Sequence, residues 1–244
     1  LRPALEHVSP SSLNLIIYRC PRRWYYEAIR TRGIEREAPE ALYGRMVHKA
    51  IATYFERIPR RPSPSDIEET ARRAFEECGV YLKGFERKTQ TILANFVEFE
   101  KLRLRTWKQY KPTFVEKALE GRLFEDLPPF RCVVDFYSQA DATVIDWKTG
   151  TTEHQEEFSV QGKINEMLLV RNGHPCERVM FFGLLTGRAL VAPKVTDGWI
   201  YKLARQAVDM VEGGRFPKNP SPLCGECPYQ LECEFDDVCL FEGI

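Results

Sequence analysis

Between residues 113 and 150 the hydrophobic pattern changes, and that change limits the fold more than any other feature. TFVEKALEGRLF, FRCVVDFYSQA and DATVIDWKTG are short runs rich in β-branched and aromatic residues, separated by turn formers. Such runs predict three strands. The chain before them reads as helix. Apolar residues recur at helical spacing over 11–30, where SPSS offers serine N-caps, and again over 41–58 in ALYGRMVHKAIATYFERI. RPSPS interrupts the pattern, Ser65 is suited to cap the next helix, and DIEETARRAFEECG ends on a glycine suited to a C-terminal cap. A long amphipathic helix is predicted over 88–110, with aromatics at 96, 99 and 107. After the strands come a helix over 155–171, a hairpin about Thr186 and Gly187, and a helix over 196–212. The sum is an α/β fold, a small mixed sheet flanked by helices.

A chain of 244 residues can bury one full core, so a single domain over 1–244 is expected. Within it, a helical portion (about 11–110) precedes a sheet core (about 113–213) and a cysteine-bearing tail (214–244). Apolar residues at 43% and charged residues at 29% exclude a disordered chain. No apolar run approaches the roughly twenty residues of a membrane span. LRPALEHVSPSS has no basic start leading into an apolar stretch, so no secretory signal is read there and a reducing, cytoplasmic compartment is expected. Lys plus Arg equals Asp plus Glu at 35 each, so net charge gives no vote for nucleic acid. Local asymmetry does: YRCPRRWYYEAIRTR gathers arginines around aromatics, and a patch can bind DNA although the total cancels.

The chemistry concentrates in CVVDFYSQADATVIDWKTG. Asp135 is expected at the end of one strand, with Asp146 and Lys148 two apart on the next and so on one face. If the strands pair, two carboxylates and an ammonium converge at a sheet edge, a set suited to a hard divalent cation and a water to be activated. The bland alternative is a surface cross-strand salt bridge.

VIDWKTG after VVD resembles the core of the RecB-like branch of the PD-(D/E)XK nucleases, where an aspartate and then D/E-x-K form the metal site. GRMVH, Gly44 to His48, resembles that branch's GxxxH helix, and Gln161 in SVQGKINEMLL falls where the branch carries a glutamine. Two positions depart from the pattern: Cys132 stands for a common glycine and Asn165 for a tyrosine. The resemblance implies a restriction-endonuclease-like core. It implies His48, Asp135 and Asp146 as side-chain metal ligands, the backbone carbonyl of Trp147 as a further one, and Lys148 as the residue that positions the attacking water. An imidazole among oxygens makes Mn²⁺ as fitting as Mg²⁺. Glu116 matches an upstream acidic position, and a plain strand-edge charge explains it equally well.

SPLCGECPYQLEC sets Cys224, Cys227 and Cys233 in a compact loop suited to a metal, one ligand short of the usual four. The resemblance supplies the fourth: cluster-bearing members place one cysteine in a segment like SSLNLIIYRCPRRWYY, which here is Cys20. Spacing alone leaves zinc and an iron–sulfur cluster open. The resemblance implies iron–sulfur, 4Fe–4S ahead of 2Fe–2S, clipping the tail to the N-terminal helix. Cys239 could compete as a ligand or simply pack, and Cys78, Cys132 and Cys176 read as structural thiols. Near Cys20, Arg19, Arg22 and Arg23 could meet phosphates, while Trp24, Tyr25 and Tyr26 fit the core better than base stacking.

The function implied is metal-dependent DNA cleavage on single strands or frayed ends, most similar to the CRISPR-associated RecB-family exonucleases of spacer acquisition, with spacer-integration proteins as partners. A repair or phage exonuclease of the same superfamily, a non-catalytic DNA-binding scaffold and an iron–sulfur redox protein are the other readings.

Overall fold

The computed structural model describes residues 4–30, 39–150 and 155–239, apart from the side chains at 155, 223, 226 and 235–239. The side chain of Cys239 thus lies outside the described residues.

The N-terminal helical stretch is broken rather than continuous. Helix α1 (Pro10–Asn14) opens on a capping box in which Ser9 accepts from the Ser12 N–H and the Ser12 hydroxyl accepts from the Ser9 N–H. The backbone then widens to π geometry over Leu15–Arg19, turns extended at Cys20 and restarts as α2 (Pro21–Tyr25). Pro21 explains the break, because its ring keeps the preceding residue out of helical geometry. A second π segment, Tyr26–Arg30, follows.

Helix α3 spans Pro39–Arg57, α4 Pro64–Glu77 and α5 Glu86–Thr106. Ser63, not Ser65, caps α4: Pro64 has the fixed φ of a first helical residue, which makes the serine before it the cap. Ser63 Oγ accepts from the Asp66 N–H at 3.2 Å, and the Asp66 carboxylate accepts from the Ser63 N–H at 2.7 Å. Gly79, at φ +66°, ends that turn as its sequence position predicts.

The five-stranded sheet runs β1 (Phe114–Gly121), β2 (Phe130–Ser138), β3 (Thr143–Lys148), β4 (Arg178–Gly183) and β5 (Arg188–Val191), in that spatial order. Only β3 and β4 are parallel; α6 (Gln155–Arg171) makes the crossover between them, and the β4–β5 hairpin turns through Thr186 and Gly187. Helix α7 (Asp197–Glu212) is capped by Thr196, and a 3₁₀ turn (Pro222–Glu226) leads to α8 (Gln230–Cys239).

Two apolar cores form, one on each face of the sheet. Residues of α3, α4 and α5 pack with Phe136, Ile145, Trp147 and Phe182; residues of α1, α2, α6 and α7 pack with Val134, Tyr137, Val144 and Phe181. With both faces covered, β3 is buried at every residue but Lys148, its polar Thr143 and Asp146 included. One ion pair is buried in the first core. Arg103 forks onto Glu100 at 2.9 and 3.0 Å and donates to the Tyr110 carbonyl at 2.6 Å, with Phe136 and Trp107 stacked about its guanidinium. That pairing offsets the desolvation of both charges and ties the end of α5 to the sheet. Among the described residues, no helix is long and apolar enough to cross a membrane.

Candidate active site

The acidic groups gather in the interior of the sheet, where β2 parts from β3, not at a sheet edge. The β2–β3 ladder stops at Phe136↔Ile145. Beyond it the Trp147 N–H has no strand partner and donates to Asp135 Oδ2 at 2.9 Å. Asp135 therefore lies within β2, three residues short of its end, and its carboxylate replaces the missing backbone acceptor.

A second interruption faces it. Glu116 of β1 falls opposite Asp135, but both drop out of a ladder that pairs Val115 with Phe136 and Lys117 with Val134. Glu116 holds φ +46°, the left-handed region that costs a non-glycine residue about 1–3 kcal/mol. Both strands change faces there: Phe136 packs with the α3–α5 core, whereas Val134, two positions away, packs in the other. A regular strand would keep the two on one face. The rotation brings Glu116 Oε1 to 3.4 Å from His48 Nδ1, and Asp135 Oδ2 approaches the same nitrogen at 3.4 Å.

His48 reaches this point from α3. Its Nε2 lies 2.9 Å from the Trp147 carbonyl oxygen and donates to it. Gly44, one turn earlier, explains the close approach of α3: a Cβ there would stand 3.1 Å from Thr149 Oγ1. Burial pulls the imidazole pKa down, but the charge and hydrogen bond of Asp135, with Glu116 adding to them, outweigh it and hold the ring well above its usual 6.5. The carboxylates around His48 thus favour the protonated ring.

Asp146 and Lys148 project from β3 toward α6. Lys148 Nζ sits 2.6 Å from Asp146 Oδ1, an ion-pair approach without hydrogen-bond alignment, and donates to Gln161 Oε1 at 2.7 Å. Gln161 donates through Nε2 to the other oxygen of Asp146. Burial pushes the Asp146 carboxyl up to about 6, with Lys148 opposing the shift and Asp135 adding to it. Asp146 is 2% exposed and Asp135 8%, which removes the surface salt-bridge alternative.

Ligand atoms of His48, Glu116 and Asp135 all lie within 4.8 Å of one another and could hold a metal ion. The donor set, oxygens with one imidazole, fits a hard divalent cation. Asp146 Oδ1, buried beside this group with no hydrogen bond, fits a ligand position too.

The cysteines lie on another flank. Cys20, Cys224, Cys227 and Cys233 line one cavity of about 440 Å³, together with Tyr26 and Tyr229. They surround it without converging: among the described residues, the acidic set above is the one group of three or more ligand atoms within 4.8 Å of one another. The chain ends are stitched together around this cavity. Arg22 Nε donates to the Phe216 carbonyl at 2.8 Å, Asn219 Nδ2 to the Arg19 carbonyl at 2.5 Å, and Tyr26 Oη to the Glu232 carbonyl at 3.1 Å. Tyr26 stacks on Tyr229 at 5.5 Å, and Trp24 and Tyr25 stack on Phe216, so these rings serve the fold as their spacing predicts. Arg19 is held bidentate by Glu157 at 2.8 Å, and Arg23 pairs with Glu27 at 2.7 Å. Burial pushes the thiols of Cys132 and Cys176 up to about 12, which suits inert structural cysteines.

A five-stranded mixed sheet, flanked by helices and opened between two central strands around buried carboxylates, is the restriction-endonuclease-like fold. Residues 7–234 match the PD-(D/E)XK nuclease superfamily, and the chain belongs to it. Nucleases of that superfamily use divalent metals. No curated protein matches the chain.

Proposed function

We propose that the protein is a divalent-metal-dependent nuclease of the RecB-like branch, hydrolysing DNA phosphodiesters as an exonuclease on single-stranded or frayed ends. The observation that carries this reading is the convergence of His48, Glu116 and Asp135 beside the buried Asp146, whose Oδ1 faces the Lys148 ammonium at 2.6 Å. We assign His48, Asp135, Asp146 and the Trp147 carbonyl as ligands for Mn²⁺ or Mg²⁺, with Glu116 joining them. Such a cation supplies positive charge against the scissile phosphate and activates water for attack. Lys148 orients that water and adds a second positive charge on the phosphate side. Gln161, bonded to both Lys148 and Asp146, fixes the lysine against the carboxylate.

In the same reading Cys20, Cys224, Cys227 and Cys233 hold an iron–sulfur cluster, 4Fe–4S ahead of 2Fe–2S, that closes residues 1–244 into one domain by joining the tail to Cys20. The spread of the sulfurs about a cavity supports a cluster over zinc. A zinc ion draws four sulfurs to about 2.3 Å from a single point, whereas a cluster holds its thiolates apart by its own bulk.

The resemblance to CRISPR-associated exonucleases makes spacer acquisition the pathway, spacer-integration proteins the partners and the cytoplasm the compartment. A repair or phage exonuclease of the same superfamily is the alternative, and it predicts no binding to such partners.

The test is cleavage of end-labelled single- and double-stranded DNA with Mg²⁺, Mn²⁺ or EDTA. Metal-dependent shortening from the ends, lost in Asp146→Ala, is expected. Cleavage that survives in Asp146→Ala would falsify the assigned centre, and binding without turnover under either metal would leave a scaffold. Iron and sulfide content, with visible absorbance lost in Cys233→Ser, checks the cluster; stoichiometric zinc overturns it.

A further inference from the structure

The residues of the acidic centre open onto two separate grooves. One, of about 580 Å³, runs along α3 and is lined by His48, Glu116 and Lys49. The other, of about 700 Å³, is lined by Lys148, Gln161 and Arg131 as well as by Arg19 and Arg23. Asp135 contacts His48 of the first groove, and Asp146 contacts Lys148 and Gln161 of the second, so the centre joins the two.

The charges along these grooves are unequally satisfied. Arg19 and Arg23 are neutralised by Glu157 and Glu27. Lys49 and Arg131 are exposed, and among the described residues neither side chain has a hydrogen-bond or ion-pair partner. A cation that faces a groove without a counter-ion suits a ligand carrying repeated negative charge. Arg131 lies four residues along β2 from Asp135, about 13 Å at the usual strand rise. That is too far to touch a phosphate held at the centre, and near enough to meet another one of the same strand. Lys49 follows His48 on α3 and stands on the other groove.

We infer that a single nucleic-acid strand crosses the acidic centre from one groove to the other, with Lys49 and Arg131 neutralising phosphates on opposite sides of the bond that is cut. This rests on the nuclease reading and adds to it the requirement that substrate extend both ways from the scissile phosphate. It also sets aside Arg19, Arg22 and Arg23 as the main phosphate contacts, because each already has a partner within the protein.

The probe is a fluorescein-labelled oligothymidylate, its binding followed by anisotropy in EDTA against increasing salt. Each phosphate contact adds about 0.7 to the slope of log affinity against log salt for a single strand. Lys49→Ala and Arg131→Ala should each lower the slope by about that amount, and the double variant by about twice it, whereas Arg131→Lys restores it. Arg105→Ala, an exposed change on α5 away from both grooves, should leave slope and cleavage as in the wild type. An unchanged slope in either Lys49→Ala or Arg131→Ala overturns the inference while wild-type cleavage keeps the nuclease reading standing. A wild-type protein that neither binds nor cleaves the strand overturns both.

Discussion

The acidic centre and the cysteine-lined cavity are built by opposite means. The centre is assembled where regular elements meet, its two aspartates are almost fully buried, and its groups hold one another by hydrogen bonds. The cavity is assembled from the two ends of the chain, its thiols are exposed or half-exposed, and the elements around it are short or irregular. Desolvation does the work at the first: it raises Asp146 and sharpens every charge interaction there. At the second, connection does the work, since Cys20 and Cys224 are 204 positions apart and any bond between them restrains nearly the whole unfolded chain. A change at the centre should therefore cost chemistry and spare the fold, and a change at the cavity should cost the fold first.

The largest effect expected is at the cavity. If the thiolates share a cluster, Cys227→Ser should destabilise the protein by about 5 kcal/mol, the value for a cross-link closing a loop of this order, read as a shift in the urea midpoint together with iron loss. An unshifted midpoint would erase the contrast between the two regions. Lys148→Ala should lower kcat by about 10²- to 10³-fold, as when a charge-stabilising donor is removed, with the melting temperature held. Equal loss of stability would make the centre structural as well.

A smaller effect is the pH response of metal uptake. His48 sits well above its usual 6.5 and Asp146 at about 6, and both must shed protons before they can bind a cation. Apparent affinity for Mn²⁺, followed by calorimetry, should therefore climb as pH rises through 6, about tenfold per unit for each proton displaced. Without metal the sign is reversed. Both folded pKa values exceed the unfolded ones, so the folded state binds the extra protons. The stability that Asp146 contributes is lost as pH rises from 3.8 to about 6, and that of His48 is lost as pH passes upward through its raised value. The smallest change is Tyr26→Phe, which removes the bond to the Glu232 carbonyl but keeps the ring stack on Tyr229. It should cost about 1 kcal/mol in a thermal melt and leave cleavage intact.

The two regions also differ in how much of them could be read in the sequence. Asp146 and Lys148 were legible because a period of two puts them on one face of a strand, and that face is what the structure has. The five short runs and the helix between the third and the fourth followed from the same alternation of apolar runs and helical spacing, whereas the parallel pairing of β3 with β4 is seen only in the structure. The resemblance singles out Glu116 but leaves it level with a plain strand-edge charge, because its aim depends on a left-handed residue and on both strands turning over at one pair, and no propensity encodes that. Asp135 was found but misplaced to a strand end, since its neighbours do not reveal where a ladder stops. The break at Cys20 was written in Pro21, yet the periodicity on either side outweighed it in the reading. Lys49 and Arg131 carried no signal at all, because an unpaired surface cation is defined by what surrounds it in space.

Asp135 does two jobs at once: it holds the Trp147 amide where β2 and β3 separate, and it presents the same carboxylate to His48. An asparagine oxygen could still accept from the Trp147 amide but would bring no negative charge to His48, whereas alanine could do neither. Asp135→Asn is thus the route by which a lineage could retire this site and keep the sheet.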